Sequence, residues 1–172
     1  SLNNLQTTPP PDYNSIIWTY GIEQIKQNQA RLTPEQRQLI YYWGGKEGPE
    51  SGNWFAIANQ FLQKRRLSLP DFLLVRAVLA MGYTDSLIAA FDSKYSYWVV
   101  RPHMRDPEIV QIILCPKHPS YPSAHSVTSS TAATILSYFF PEETPRWQKL
   151  AIQAGNSRIW GGLHYMYDNE EG

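Results

Sequence analysis

Pro122-Ser123-Ala124-His125-Ser126-Val127-Thr128-Ser129-Ser130-Thr131-Ala132-Ala133-Thr134-Ile135-Leu136-Ser137-Tyr138-Phe139-Phe140 is the stretch on which the reading of this chain turns. From Ser126 to Phe140 it holds no Gly, no Pro and no charge, and Pro141 ends it. A Pro in a first helical turn has its φ pre-set, and the N–H it lacks would be unpaired there anyway. The stretch therefore predicts a helix starting near Ser120 to Ser123 and running from about Ala124 to Phe139. Its small residues lie all round, which permits close approach of neighbours, so the helix is expected at the buried centre of the protein. The first amides of a helix lack intrahelical partners and form the positive end of its dipole, so they favour an anion. Ser123 adds a hydroxyl and His125 a group that can carry a proton. A Ser and a His at a helix start also serve as a cap and a surface residue, so the rest of the chain decides between the two.

Outward from this helix, breakers divide the chain into further helical segments. Asn14 or Ser15 caps a helix to about Ala30, with Ile17, Tyr20, Gln24 and Ile25 alternating faces at roughly helical spacing. Thr33-Pro34-Glu35-Gln36 has the form of a capping box, and that helix should end at Gly44-Gly45. Gly45 to Asn53 reads as a loop, and Trp54 to Arg65 as a short amphipathic helix. Ser68-Leu69-Pro70-Asp71 starts a long helix toward Tyr97, with Gly82 as a candidate kink, and Pro102 and Pro107 then stop regular structure. Ile109 to Cys115 is apolar and β-branched, fit for a short strand or an extended tie. Thr144-Pro145 starts the last long helix, which reaches at least Arg158, with Gly161-Gly162 as a break. The fold class is all-α, a helical bundle with its ligand site between facing helices. Residues 1–172 are read as a single domain, with 1–13 as an extended arm.

Composition narrows the function. The 15 Lys and Arg balance 15 Asp and Glu, which gives no prior for nucleic acid as a partner. No uninterrupted apolar run approaches the ~20 residues that span a bilayer, so no membrane-spanning segment is expected. The single Cys115 excludes an intrachain disulfide and a multi-cysteine zinc site. The sequence assigns no oligomeric state.

Three groups of residues carry chemistry. Lys94 and Arg101 are seven apart, on one face if the helix holds that far. Buried cations need an anionic partner, and the local sequence offers only Asp92 and Asp106. The second group is the Ser123-Ala124-His125 helix start. The third is Ser157-Arg158, His164 and Asp168. At i, i+4 spacing a helix would set His164 and Asp168 together, with Ser157 and Gly161 on the same face. A carboxylate on one ring nitrogen fixes the tautomer and frees the other as base, nucleophile or ligand. No spaced pair of glycosidase carboxylates, no Gly-rich nucleotide loop and no cluster of His and carboxylate for a divalent metal is visible. The set suits a tetrahedral oxyanion, because Arg forks match its geometry and Lys supplies a point charge.

In this order the groups resemble the signature of the superfamily that joins vanadium-dependent haloperoxidases with type-2 phosphatidic acid phosphatases. They stand here as Lys94-(six)-Arg101-Pro102, Pro122-Ser123-Ala124-His125, and Ser157-Arg158-(five)-His164-(three)-Asp168. Ala124 replaces the family's Gly, and its backbone N–H serves equally unless the position needs φ > 0. The flanking words Phe91-Asp92-Ser93-Lys94-Tyr95 and Tyr121 to Ser126 resemble the soluble bacterial haloperoxidase-like branch. The resemblance implies a helical bundle of the vanadium chloroperoxidase and acid phosphatase type, with the oxyanion site between its central helices and with family helices that would follow residue 172. It implies that Lys94, Arg101, Ser123, the Ala124 amide and Arg158 bind the equatorial oxygens. His164 would bind the central atom, as ligand to the vanadium of vanadate or as nucleophile to phosphorus. Asp168 would orient His164, and His125 would be the acid–base group. His118, seven residues before His125, matches a position that in haloperoxidases lies near the peroxide. The implied function is a vanadate-dependent enzyme that oxidises halide with hydrogen peroxide. The alternatives are an acid phosphatase that cleaves a phosphomonoester through phosphohistidine, without a cofactor, and a non-catalytic phosphate-binding domain. Relatives are often exported, so a periplasmic or secreted location is the expectation.

Overall fold

A computed structural model describes residues 7–45 and 52–172. The helices are α1 (Ile16–Ala30), α2 (Pro34–Trp43), α3 (Trp54–Arg65), α4 (Leu69–Tyr97), α5 (Pro102–Arg105), α6 (Ala124–Phe139), α7 (Thr144–Trp160) and α8 (Met166–Glu170). A 3-10 turn, Pro141–Glu143, joins α6 to α7. Among the described residues there is no strand, and the all-α expectation holds. Of the expected loop between Gly45 and Asn53, residues 46–51 lie outside the described residues, as do residues 1–6 of the arm.

Local chemistry sets the ends of these helices. Thr33 and Gln36 form the reciprocal capping box at the start of α2. Ser15, Asn53, Ser68 and Ser123 each accept a backbone N–H at an N-cap. α6 lies at the centre, packed against α4 on one side and α7 on the other, and α2 packs on α7. Three hydroxyls help a helix so rich in Ser and Thr to be buried, although Ser126 Oγ is buried with no hydrogen-bond partner among the described residues. Thr128 Oγ1 donates to the Ala124 carbonyl (2.8 Å), Thr131 Oγ1 donates to the Val127 carbonyl (2.9 Å), and Ser129 Oγ accepts from Trp54 Nε1 (2.8 Å). The main core gathers Trp43, Trp54, Phe61, Leu62, Leu79, Leu136 and Trp147 around it. Phe61 meets the Phe140 and Trp147 rings edge-on, each at 4.9 Å. A second core of Trp18, Ile25, Ile109, Ile159 and Tyr165 ties α1 to the end of α7.

Several expectations need correction. α1 buries Trp18 and Gly21, which the spacing did not single out, together with Ile25, and the second core meets this side. α4 runs through Gly82 as one helix. There the glycine serves close approach, since a Cβ would stand 2.5 Å from Ile135 Cδ1 of α6. Pro102 does not stop regular structure but opens the single turn of α5, where its missing N–H costs nothing. Ile109 to Cys115 is an irregular tie, fixed by Gln29, whose amide donates to the Val110 carbonyl (2.7 Å) and accepts from the Val110 N–H (3.1 Å). One run, Leu69–Arg105, is long and apolar enough to cross a membrane by length and composition, with a mean hydropathy of 1.5 and 11% of the window buried. Gly82, Thr84, Asp85 and Ser86 interrupt the apolar run, yet the average over the window stays high because the residues on either side are strongly apolar. Length and composition alone do not put it in a bilayer, and α4 also carries Asp71, Arg76, Asp85 and Asp92.

Candidate oxyanion site

The three sequence groups meet where the end of α4, the start of α6, the end of α7 and the start of α8 converge. Lys94 and Arg101 do not share a helix face. α4 ends at Tyr97, Trp98 takes a left-handed conformation (φ 52°), and Arg101 is the N-cap of α5. The turn carries Arg101 back toward the start of α6. Nor do His164 and Asp168 share a helix. Gly161 and Gly162 end α7, Gly162 at φ +74° turns the chain, and α8 begins only at Met166. Ser157 and Gly161 accordingly belong to α7 and not to a face shared with His164. The pair forms through the cap of α8, where Asp168 Oδ2 accepts the Tyr165 N–H (3.2 Å) and the His164 Nδ1–H (2.8 Å).

Lys94, Arg101 and Arg158 are all buried. Among the described residues no carboxylate stands within ion-pair distance of any of them. Asp106 pairs instead with Lys26 at 3.3 Å. Backbone carbonyls take the place of counter-ions. The Lys94 ammonium donates to the carbonyls of Pro119 (2.9 Å), Ser120 (2.7 Å) and Pro122. Arg101 donates to the carbonyls of His118 (3.0 Å) and Leu163 (2.7 Å), and Arg158 to that of Ile40 (2.8 Å). Carbonyl dipoles satisfy the donors and leave the charge in place, so the site carries a net positive field in a water-poor setting. With its three N–H groups occupied, Lys94 acts on a ligand as a point charge.

The protonation states follow from the geometry. Arg101 can only donate, and its Nη1 lies 2.9 Å from His164 Nε2. Nε2 therefore accepts, the ring proton sits on Nδ1, and it is donated to Asp168. Burial, reinforced by Arg101 and Lys94, holds the His164 imidazole well below its ordinary pKa. His125 is a second neutral imidazole, pushed down to about 3 by burial and then by Arg158. Its Nε2–H donates to the Trp43 carbonyl (2.9 Å), which leaves Nδ1 as the basic nitrogen. Burial raises Asp168 to about 6 against the pull of the Ser120 hydroxyl and the Lys94 charge, so it is a carboxylate at neutral pH. His118 is half-buried, accepts from Arg101 Nη2 at Nδ1 (3.1 Å), and lies 5.1 Å from the Phe91 ring.

The start of α6 completes the cradle. Ser123 is the N-cap, its N–H tied to the Asp168 carbonyl (2.8 Å), and Ala124 is the first helical residue. Ala124 is not among the positive-φ residues, so its Cβ is tolerated where the family pattern has Gly. Sequence reasoning missed three contributions. Ser120 donates its hydroxyl to Asp168 Oδ2. The last turn of α2 presents the Ile40 carbonyl, which also accepts the Gly44 N–H, to Arg158, and the Trp43 carbonyl to His125. The carbonyls of Pro119, Ser120 and Pro122 hold Lys94. No residue pattern marks a carbonyl, and Ser120 alone, lying in the loop before the helix start, stood near a recognised motif.

Burial pushes the Lys94 ammonium down to about 7, with Arg101 adding to the effect. An anion in the cradle favours the charged form and raises that pKa. Above about pH 7, binding must therefore take up a proton. Sulfate, which does not titrate near neutrality, is expected to bind about tenfold more weakly for each pH unit above that point and to level off below it. Calorimetry across the range checks this, and a flat profile from pH 6 to 9 would count against it.

The comparisons agree with this architecture. A family model, that of the PAP2 superfamily, matches residues 73–172, and the chain belongs to that superfamily. Members of the superfamily are generally enzymes, phosphatases and haloperoxidases among them. The crystal structure of a bacterial vanadium-dependent iodoperoxidase superposes over 100% of this chain and 50% of its own, with a TM-score of 0.86 and 22% identity. The fold is thus that of the vanadium haloperoxidases, and the chain spans half the length of that relative. No curated protein matches the chain by sequence.

Proposed function

We propose that the protein is a vanadate-dependent haloperoxidase, oxidising halide with hydrogen peroxide in the cradle around His164. One observation carries the reading. Three buried cations, with no carboxylate in ion-pair distance among the described residues, lie about a histidine whose Nε2 is unprotonated and whose Nδ1–H is fixed by Asp168. This donor set fits vanadate. His164 Nε2 would hold it, Arg101, Arg158, Ser123 and the Ala124 amide would donate hydrogen bonds to it, and Lys94 would add charge. When bound, vanadate supplies the electrophilic centre at which peroxide is activated toward halide.

The chain's own residues do the rest. Asp168 keeps His164 in the ligating tautomer, and Ser120 and the Tyr165 amide hold Asp168 in place. His125 Nδ1, its tautomer set by the Trp43 carbonyl, would exchange a proton with the bound group. Held down to about 3, His125 is neutral in the empty cradle, and an anion there would shift it toward the protonated form. His118 leans on Arg101 and so stands at the edge of the same cradle.

The same Asp168–His164 pair is also an activated nucleophile, and that favours a second reading, a phosphomonoesterase. His164 Nε2 would attack phosphorus, the P–O bond to the alcohol would break, and His125 would protonate the departing oxygen before water hydrolyses the phosphohistidine. Peroxide-dependent bromination and iodination of a dye, with and without orthovanadate, separates the two. Turnover that requires vanadate and is suppressed by inorganic phosphate is expected. Silence with both halides, together with hydrolysis of a phosphomonoester that vanadate inhibits, would replace the first reading by the second.

A further inference from the structure

Thr7-Thr8-Pro9-Pro10-Pro11 runs ahead of α1 without helix. Three consecutive prolines have a fixed φ and no N–H to satisfy. Such a segment can lie along a surface with no unmatched donor and with little backbone freedom left to lose. The two threonines before them carry the contacts, chiefly on the backbone. The Thr7 N–H donates to Ser93 Oγ (3.1 Å), and the Thr7 carbonyl accepts from the Tyr97 hydroxyl (2.9 Å). The Thr8 carbonyl accepts from the Tyr121 hydroxyl, and Thr8 Oγ1 donates to Glu171. The Thr7 hydroxyl, by contrast, is buried with no partner among the described residues. Behind the prolines, the carbonyls of Pro11 and Asp12 accept from Trp18 Nε1 (3.3 and 3.0 Å), which fixes the other end of the arm to the second core.

None of these bonds reaches a cradle residue itself. They land beside the cradle. Ser93 is fully buried and directly precedes Lys94. Tyr121, also fully buried, stands between Ser120 and Pro122, whose carbonyls both hold the Lys94 ammonium. The Ser120 hydroxyl holds Asp168. Tyr97 of α4, Tyr121 of the loop before α6 and Tyr167 of α8 form a row of rings. Tyr121 is edge-on to Tyr97 at 5.8 Å and stacked on Tyr167 at 5.7 Å. The three segments that carry Lys94, Ser120 and Asp168 thus each send one tyrosine to the row, and Thr7 and Thr8 hold two of its hydroxyls.

We infer that the arm is a strap that positions the cradle, with Tyr97 and Tyr121 as positioning residues acting through Lys94 and Asp168. The inference rests on the reading of those two residues as part of the oxyanion site. Its physical basis is the carbonyl cage. All three acceptors of the Lys94 ammonium come from one loop, so the charge is only as well placed as that loop. Tyr121 is the side chain by which the arm grips the loop from outside. A displacement of about 1 Å in a positioned site costs on the order of 100-fold in rate. Tyr97 and Tyr121 belong to neither hydrophobic core, so the fold does not depend on the strap as the site does.

Tyr97→Phe with Tyr121→Phe keeps both rings and removes both hydroxyls from the strap. Calorimetry with inorganic phosphate on the full chain is expected to give a dissociation constant raised about tenfold, with circular dichroism unchanged and melting close to wild type. Thr7→Pro, which deletes the N–H held by Ser93, should weaken binding in the same sense. Thr7→Val keeps every backbone group and should bind as wild type does. Phe61→Leu, in the main core and away from the strap, should lower melting further and leave phosphate binding unchanged. Binding indistinguishable from wild type in the double variant or in Thr7→Pro overturns the strap. So does a Phe61→Leu chain that binds as weakly as the double variant, because the effect would then be one of general stability. Equal weakening in Thr7→Val overturns the backbone route. A wild type that binds neither phosphate nor vanadate overturns the reading of the site, and the strap with it, which tells the two failures apart.

Discussion

His164→Ala is expected to abolish turnover, with a loss of roughly 10⁴-fold or more, the scale seen when a group that bonds to the reacting centre is removed. Both readings of the site pass through the Nε2 lone pair, as ligand or as nucleophile, and no neighbour can replace it. Ser120 and the Tyr165 amide would still hold Asp168, so the cradle loses one ring and keeps its frame. The variant should still bind oxyanion, only more weakly, because the three cations remain. Steady-state rates beside an anion titration on the same preparation check this. Activity within a few-fold of wild type would sink the assignment of His164.

Arg158→Ala is the second large effect. The guanidinium is buried, spans Ser157 Oγ and the Ile40 carbonyl, and is held down to about 10 by burial alone, so it remains a full charge at neutral pH. Losing a charge-assisted contact in a water-poor site costs about 2–4 kcal/mol, a rise in the dissociation constant of roughly 30- to 1000-fold for vanadate or phosphate. The change should also raise the pKa of His125, since Arg158 is the charge that most depresses it. A titration that finds the dissociation constant unchanged would remove Arg158 from the cradle.

Much of this architecture is legible in the residues. α6 and α2 were readable because each begins at a side chain that can cap and ends at a Pro or Gly, with no breaker between. The grouping of Lys94, Arg101, Ser123, His125, Arg158, His164 and Asp168 was readable from their order and spacing. The routes that bring them together were not. Lys94 meets Arg101 through a left-handed Trp98, and His164 meets Asp168 through a capped five-residue helix. Helical periodicity predicted proximity in both cases for a reason that does not apply. The partners of the cations were invisible because they are carbonyls, which every residue has. Asp92 and Asp106, the carboxylates that sequence proximity offered, do not fill that role.

The carbonyl cage around the cations has a further consequence, for how this protein can evolve. Dipoles offset only part of the desolvation of three buried charges, so the empty cradle is a standing weakness of the native state. Replacing Lys94 or Arg101 with an apolar side chain of similar size would be a gain in robustness and a loss of ligand. Variation at these positions is therefore pulled two ways, and the side chains persist only while the anion is present often enough to reward them. A lineage that lost its ligand would be expected to lose these charges first, while the core around Trp54, Phe61 and Trp147 stayed as it is.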